Sequence, residues 1–153
     1  MCGIAGIMNR SGAAPGDAVL QALTKALAHR GPDGQGRVIS GATGLVHTRL
    51  AIIDLETGDQ PLFASQNTEK QEAGTGGTRT GTKQEARTGE TRTGTKKAAL
   101  IANGEIYNYI ELKLDMGRVE FRTGSDCEPP LHLYLRHGLD FTRHLRGMYA
   151  IAI

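Results

Sequence analysis

Apolar residues divide the chain into short strands and helices that alternate with polar, glycine-rich turns. Residues 4–8 are almost continuously apolar and predict a buried strand close to the N-terminus. Two further runs, 37–40 and 44–48, flank a glycine and predict a β-hairpin, which residues 49–54 continue as strand or strand end. Another buried strand is predicted over 98–102. The hairpin requires that at least part of the sheet is antiparallel.

Two amphipathic helices are predicted where apolar residues recur every three or four positions. Asp17 is expected to cap the first helix, which continues to about Ala28. The second helix is expected over 106–116, directly after Asn103, Gly104 and Glu105. The predicted buried faces consist of Val19, Leu20, Leu23 and Leu27 in the first helix and Ile106, Ile110 and Leu114 in the second.

The C-terminal part is predicted to contain two more helices and a final strand. Ser125 or Asp126 is expected to cap a helix that has two prolines in its first turn and ends at Gly138. A shorter helix is expected over 139–145, and residues 147–153 predict an apolar strand. We expect this strand to have no partner and the chain to be a fragment, because an apolar strand needs neighbours to complete its sheet.

Residues 71–83 and 84–96 form a tandem repeat of 13 residues that lacks any large apolar side chain. Such a segment cannot bury enough surface to offset the entropy of ordering. We therefore predict a single domain over 1–153 with a disordered insert at about 66–97. Each copy has glycines near phosphate-loop spacing, but it ends in Gly-Thr-Lys and follows no apolar strand, which argues against nucleotide binding there.

Composition and charge argue against several classes of function. A net charge of +2 is too small to indicate binding of nucleic acid or of a membrane surface. No apolar run reaches the roughly 18 residues of a membrane span, and the N-terminus lacks a signal-peptide pattern. The two cysteines, Cys2 and Cys127, provide no disulfide framework, which predicts a cytoplasmic protein. Because His29 and His47 fit no closed zinc site with them, we predict no metal.

Cys2 is the strongest candidate for chemistry in the sequence. Removal of an initiator methionine would place a thiol and a free α-amine on the same residue. An α-amine has an ordinary pKa of about 7.7–8.0, so it can accept the thiol proton near neutral pH. A lone cysteine near a terminus is more often an inert, small apolar residue. Taken alone, Cys2 leaves both interpretations open.

Five segments in order resemble one protein family. They are MCGIAG at 1–6, HRGPDG at 29–34, HTRLAIIDL at 47–55, NGEIYN at 103–108 and GSDCE at 124–128. Together they are similar to the glutaminase domain of class II glutamine amidotransferases, and NGEIYN favours the asparagine synthetase branch. The resemblance implies an α+β N-terminal-nucleophile fold, a four-layer αββα sandwich with two antiparallel sheets, here incomplete at its C-terminus.

The resemblance also implies hydrolysis of L-glutamine to glutamate and ammonia through a thioester on Cys2. The Asn103 side-chain amide and the Gly104 backbone N–H would stabilise the oxyanion. Arg49 would bind the α-carboxylate of the substrate, and Asp126 would bind its α-ammonium group. The pocket would be completed by backbone groups of Leu50, Ala51, Ile52 and Ile53 and by the side chain of Glu105.

No cofactor is implied for this domain, since ATP and Mg²⁺ would belong to a synthetase domain that the chain lacks and that would be its partner. Two alternatives stay open: a truncated, non-catalytic remnant, and the glutaminase domain of another class II amidotransferase. Individual residues have structural alternatives as well. Arg49 could form a surface ion pair, Asp126 could cap a helix, and Asn103 with Gly104 could form a hairpin turn.

Overall fold

The protein has two antiparallel three-stranded sheets in a computed structural model, which describes residues 2–67 and 95–153. The first sheet has the strand order β1-β3-β2 and consists of β1 (Gly3–Met8), β2 (Gly34–Ser40) and β3 (Thr43–Arg49). The second has the order β4-β5-β6 and consists of β4 (Leu62–Asn67), β5 (Thr95–Ile106) and β6 (Gly147–Ala152).

Helices lie against both sheets. They are α1 (Asp17–Leu27), α2 (Tyr109–Asp115) and α3 (Glu128–His137), followed by a 3₁₀ helix over Gly138–His144. Helix α1 packs against β1 and β3, these strands contact β5, and α3 packs against β4 and β5. The predicted α+β class with two antiparallel sheets is confirmed. Within the two described ranges, no helix has the length and apolar character needed to cross a membrane.

The predicted β-hairpin is confirmed, but its second strand ends earlier than expected. Strands β2 and β3 pair from Gly34 opposite Arg49 to Ser40 opposite Thr43. Residues 50–54 are not a strand, which corrects that part of the prediction. The N–H groups of Leu50 and Ala51 bond to side chains instead of to a neighbouring strand.

The first strand and first helix form where the sequence predicts them, with less burial than expected. Met8 is 73% exposed in β1, and Val19 is 43% exposed in α1, whereas Leu20 is completely buried. Asp17 is not the cap of α1. The N-cap residue is Gly16, which makes no side-chain capping bond. The Asp17 carboxylate instead accepts a hydrogen bond from the side chain one turn later, at Gln21.

Strand β5 is longer and helix α2 shorter than the sequence pattern predicts. Ile106 is the last residue of β5 and is buried there, so it does not begin a helix. Ile110 and Leu114 are 58% and 75% exposed, and the predicted buried face of this helix is therefore wrong. Leu112 is the buried residue of α2. Pairing with β6 extends β5 as far as Ile106. The backbone N–H and C=O groups find hydrogen-bond partners across the two strands, so they do not need the bonds that a helix would provide.

The C-terminal strand has a partner, contrary to the prediction. Strand β6 pairs antiparallel with β5, from Ile101 opposite Ala152 to Ile106 opposite Gly147. Helix α3 ends at Gly138 as predicted and carries its two prolines in the first turn. Its N-cap is Cys127, with no side-chain capping bond, so neither Ser125 nor Asp126 caps it.

The predicted insert falls mostly outside the described residues. Residues 66 and 67 belong to β4, and residues 95–97 belong to β5. These two strands are antiparallel neighbours, so the chain between them connects adjacent strands of one sheet. The prediction for residues 68–94 lies outside the part that the structure describes.

Most of the buried apolar side chains in the described ranges belong to two clusters. One contains Ile106, Leu112, Met116, Leu133, Phe141 and Leu145, and the other contains Leu62, Leu100, Ala102, Cys127 and Leu131. Leu100 and Leu131 are completely buried, and each contributes roughly 2–3 kcal/mol relative to an exposed side chain. The second cluster joins β5 to the start of α3. It therefore supports the two segments that carry Asn103 and Asp126.

Candidate active site

A pocket of about 110 Å³ lies where the loop after β3, strand β5 and the segment before α3 meet. It brings together nine of the predicted site residues: Cys2, Arg49, Leu50, Ile52, Ile53, Asn103, Gly104, Glu105 and Asp126. Ala51 does not line it. The backbone N–H of Ala51 donates a 2.9 Å hydrogen bond to the Asp33 carboxylate instead. Residues that are far apart in sequence thus share one cavity.

Hydrogen bonds to its side chain and to its backbone carbonyl group hold Cys2 in place directly before β1. The backbone N–H of Leu50 donates to its Sγ at 3.3 Å, and the thiol lies 3.6 Å from the Leu50 carbonyl oxygen. The Arg30 Nε donates to the Cys2 carbonyl oxygen at 3.1 Å. These contacts fix the sulfur at the pocket wall. The Leu50 N–H also supplies a donor for the charge that the sulfur carries once its proton leaves.

Asn103 and Gly104 lie inside β5, so the strand does not end at residue 102 as predicted, and the hairpin-turn alternative is wrong. They stand opposite Ala150 and Tyr149 of β6. Gly104 has a φ of 152°, and a Cβ at this position would overlap the carbonyl oxygen of Met148. Only glycine fits this backbone and this close approach. Next to them, the Ala102 N–H donates a 2.6 Å bond to the buried Gln60 side chain, which anchors β5 to the loop.

The Arg49 guanidinium lies in the pocket and is already partly paired. Its side chain is 9% exposed, and Nη1 donates to Oδ1 of Asp59 at 2.7 Å. Its Nη2 donates to the carbonyl oxygen of Asp54. The alternative of a surface ion pair holds only in part. The Asp59 side chain is at the surface, with 79% of it exposed, but the Arg49 side chain is buried. Since a guanidinium has five N–H donors, these two bonds leave donors for a ligand carboxylate.

Asp126 places a buried carboxylate at the other side of the pocket. It is 5% exposed, and its Oδ2 accepts a 2.7 Å bond from the Ile106 N–H. Its second oxygen can accept from a ligand, since a carboxylate offers about four acceptor sites. The neighbouring Cys127 is buried. Burial and the negative charge of Asp126 raise the pKa of the Cys127 thiol, so it stays protonated and unreactive.

Six residues of the pocket wall were not predicted: Gly58, Gln60, Ala102, Ser125, Cys127 and Met148. Ser125 and Cys127 lie within the GSDCE segment, so the motif could have indicated them. Met148 comes from β6, where it stands opposite Glu105. Its place in the wall depends on strand pairing, which no local pattern shows.

His47 is a buried polar residue just outside the pocket. It is 1% exposed, and its Nε2 has no hydrogen-bond partner in the described ranges. Burial lowers the pKa of His47 from 6.5 to about 4, against the opposing effect of a backbone hydrogen bond with Ala102. His47 is therefore neutral at pH 7. Among residues 2–67 and 95–153, no group of three or more His, Cys, Asp or Glu side chains could hold a metal ion.

Comparison with known proteins identifies the family. The sequence model of one protein family, described as the glutamine amidotransferase domain, matches residues 1–73 and 68–153 of this chain. The chain therefore belongs to the class II glutamine amidotransferases, a family of enzymes.

The curated relatives include glutamine-hydrolysing asparagine synthetases. Asparagine synthetase [glutamine-hydrolyzing] 1 of Arabidopsis thaliana is 34% identical over all of this chain, which spans 21% of that protein. The Saccharomyces cerevisiae protein of the same name is 36% identical over 84% of this chain and 17% of its own length. Asparagine synthetase [glutamine-hydrolyzing] 2 of Bacillus subtilis is 33% identical over the whole chain, again 17% of its own length. The chain thus matches only a small part of each relative.

Proposed function

We propose that this chain is the glutaminase domain of a glutamine-dependent asparagine synthetase and that it hydrolyses L-glutamine to glutamate and ammonia. The observation that supports the proposal best is the shared pocket. Cys2, Asn103, Gly104, Arg49 and Asp126 all line it although they come from four separate segments of the chain. We also propose the four-layer αββα sandwich of N-terminal-nucleophile enzymes. The packing of α1 on the first sheet and of α3 on the second supports that arrangement.

The proposed reaction begins after removal of Met1. The Cys2 sulfur attacks the side-chain amide carbon of glutamine, and the free α-amine of Cys2 takes up the thiol proton. The carbon–nitrogen bond then breaks, the amine returns the proton to the leaving nitrogen, and ammonia departs. Water hydrolyses the remaining thioester to glutamate and restores the thiol. The same amine serves as base and then as acid, so this sequence of steps needs no cofactor.

The other pocket residues have distinct roles in this proposal. The Asn103 amide and the Gly104 N–H would donate to the oxyanion that forms when sulfur attacks; such donors are worth about 3–4 kcal/mol each. Arg49 would bind the α-carboxylate and Asp126 the α-ammonium group. The two carry opposite charges and line the same cavity, which supports recognition of a free amino acid. Glu105 and the backbone of residues 50–53 would complete the binding site.

The branch is proposed from the relatives. The relatives from Arabidopsis thaliana, Saccharomyces cerevisiae and Bacillus subtilis all carry the name asparagine synthetase [glutamine-hydrolyzing]. Their length beyond the matched region leaves room for a synthetase domain that uses the ammonia. We propose that such a domain is the partner of this chain and that ATP and Mg²⁺ act there.

The proposal is tested on the whole purified chain by mass spectrometry and by an assay of glutamate release. We expect loss of Met1 and glutamine-dependent release of glutamate. Cys2→Ala should lower the rate by about 10³-fold or more, because the nucleophile and its base act as one unit.

Cys127→Ala is the matched control for thiol chemistry, since Cys127 lies in the wall of the same pocket but is protonated and buried. Its activity should stay within about twofold of the unsubstituted chain. Retention of Met1 together with absence of glutamate release would instead support a non-catalytic remnant. Activity that survives Cys2→Ala would reject the proposed nucleophile.

A further inference from the structure

The side chain and the carbonyl group of Asp54 connect the two sides of the pocket. The carboxylate accepts a 2.7 Å bond from the Gly124 N–H, 70 residues further along the chain. It also accepts from the N–H and the hydroxyl of Thr57, at 3.0 and 2.5 Å. The Asp54 carbonyl oxygen accepts from Nη2 of Arg49 and from the Gly58 N–H. Five donors therefore converge on one residue that does not line the pocket.

The local backbone is built around these contacts. Asp54 has a φ of 53°, the left-handed region that Asp and Asn tolerate better than other side chains. Two glycines surround it. A Cβ at Gly58 would lie 2.9 Å from the Asp54 carbonyl oxygen, and a Cβ at Gly124 would lie 3.3 Å from the Asp54 Cγ. Burial raises the pKa of the Asp54 carboxyl, but hydrogen bonds from Thr57 and Gly124 outweigh that effect and leave the pKa below its ordinary value.

We propose that Asp54 is a positioning residue that sets the separation between Arg49 and Asp126, the two groups that would bind the α-carboxylate and the α-ammonium of the substrate. Its carbonyl group holds the Arg49 guanidinium, and its carboxylate holds Gly124, two residues before Asp126. Misplacement of a bound substrate by about 1 Å can cost 10²-fold in rate, so a loss of this connection should weaken productive binding. The inference rests on the proposed glutaminase function.

The test compares two reagents that alkylate Cys2, followed by peptide mass spectrometry. Iodoacetamide reports the thiol alone, because it carries neither an α-carboxylate nor an α-amine. The diazoketone analogue of L-glutamine must also use Arg49 and Asp126. Asp54→Asn is the main variant, because asparagine keeps the backbone conformation but offers one carbonyl oxygen in place of two carboxylate oxygens. We expect the analogue to react about tenfold more slowly, while iodoacetamide changes less than about twofold.

Two further variants keep the test sharp. Asp17→Asn removes the same charge from the first turn of α1, outside the pocket wall, and should leave both rates unchanged. Gly124→Ala disturbs the hydrogen bond between Gly124 and Asp54 by changing the donor residue, because the added Cβ would press on the Asp54 carboxylate. It should slow the analogue selectively, and it carries the test if Asp54→Asn does not fold.

If Asp54→Asn and Gly124→Ala react with the analogue as fast as the unsubstituted chain does, the proposed role of Asp54 is overturned. An equal slowing of both reagents would overturn it as well, because it would indicate general loosening. If the unsubstituted chain reacts with iodoacetamide but not with the analogue, the proposed function fails and this inference fails with it.

Discussion

Arg49 and Asp59 form an ion pair in which the cation is buried and the anion is exposed. Their Nη1 and Oδ1 atoms are 2.7 Å apart, while the side chains are 9% and 79% exposed. Asp59 thus occupies part of the guanidinium that we expect to bind the substrate. A ligand carboxylate that approaches Arg49 would meet the negative charge of Asp59 as well.

Asp59→Asn should therefore strengthen substrate binding. We expect the KM for glutamine to fall about twofold to threefold with kcat unchanged, because an exposed charge contributes only about 0.5 kcal/mol. Steady-state assays at low and high salt measure this, and added salt should reduce the difference between the two proteins. A higher KM in the variant would show instead that Asp59 orients Arg49.

Asn103→Ala should affect the chemical step more than substrate binding. Removal of this proposed oxyanion donor is expected to lower kcat by about 10²–10³-fold, with a smaller change in KM. Asn108→Ala is the matched control from the same NGEIYN segment. Asn108 bonds to the carbonyl of His144 and to the N–H of Arg146, away from the pocket. The control should lose about 1–3 kcal/mol of stability and keep its kcat. Similar kcat losses in both variants would contradict the oxyanion role.

Gly104→Ala should reduce both stability and activity. With φ at 152° and the Met148 carbonyl in the way of a Cβ, alanine would force β5 and β6 apart. We expect a loss of about 2–4 kcal/mol in the free energy of unfolding, measured by denaturant titration. Gly41→Ala is a suitable control, because Gly41 also has a positive φ but no atom within 4 Å of the added carbon. A loss at Gly104 no larger than at Gly41 would show that backbone strain alone is responsible.

His47 should make stability depend on pH between 6.5 and 4. Its pKa is lowered on folding, so the unfolded chain binds the proton more readily. Its stabilising effect is complete above pH 6.5 and is lost as the pH falls towards 4. From pH 7 to pH 5 we expect the free energy of unfolding to drop by about 2 kcal/mol on account of His47.

His47→Leu isolates this contribution. The pKa of His132 is also lowered by burial, so the comparison must be between the unsubstituted chain and the variant at each pH. Asp54 and Glu128, whose pKa values are lowered in the folded state, lose their stabilising effect at still lower pH. Chemical denaturation should show that the free energy of unfolding depends less on pH in the variant than in the unsubstituted chain. An equal dependence on pH in both proteins would contradict the assignment to His47.

Local pattern was sufficient wherever burial follows the periodicity of one segment. The hairpin around Gly41 and the helix from Asp17 appear in the structure because each is specified by neighbouring residues and turn chemistry. The pattern failed where a partner overrides it. Ile106, Ile110 and Leu114 have helical spacing, yet pairing with β6 keeps Ile106 in a strand and leaves the other two exposed.

The sequence by itself determined the family and the chemical groups of the candidate site, because those groups lie in short motifs that do not depend on context. Tertiary structure decided how the groups meet. The bond from Gly124 to Asp54 spans 70 residues, and the bond from Ala102 to Gln60 spans 42. Met148 reaches the pocket through strand pairing. Such contacts arise from packing between distant segments, and no local pattern of apolar and polar residues encodes which segments will pack together.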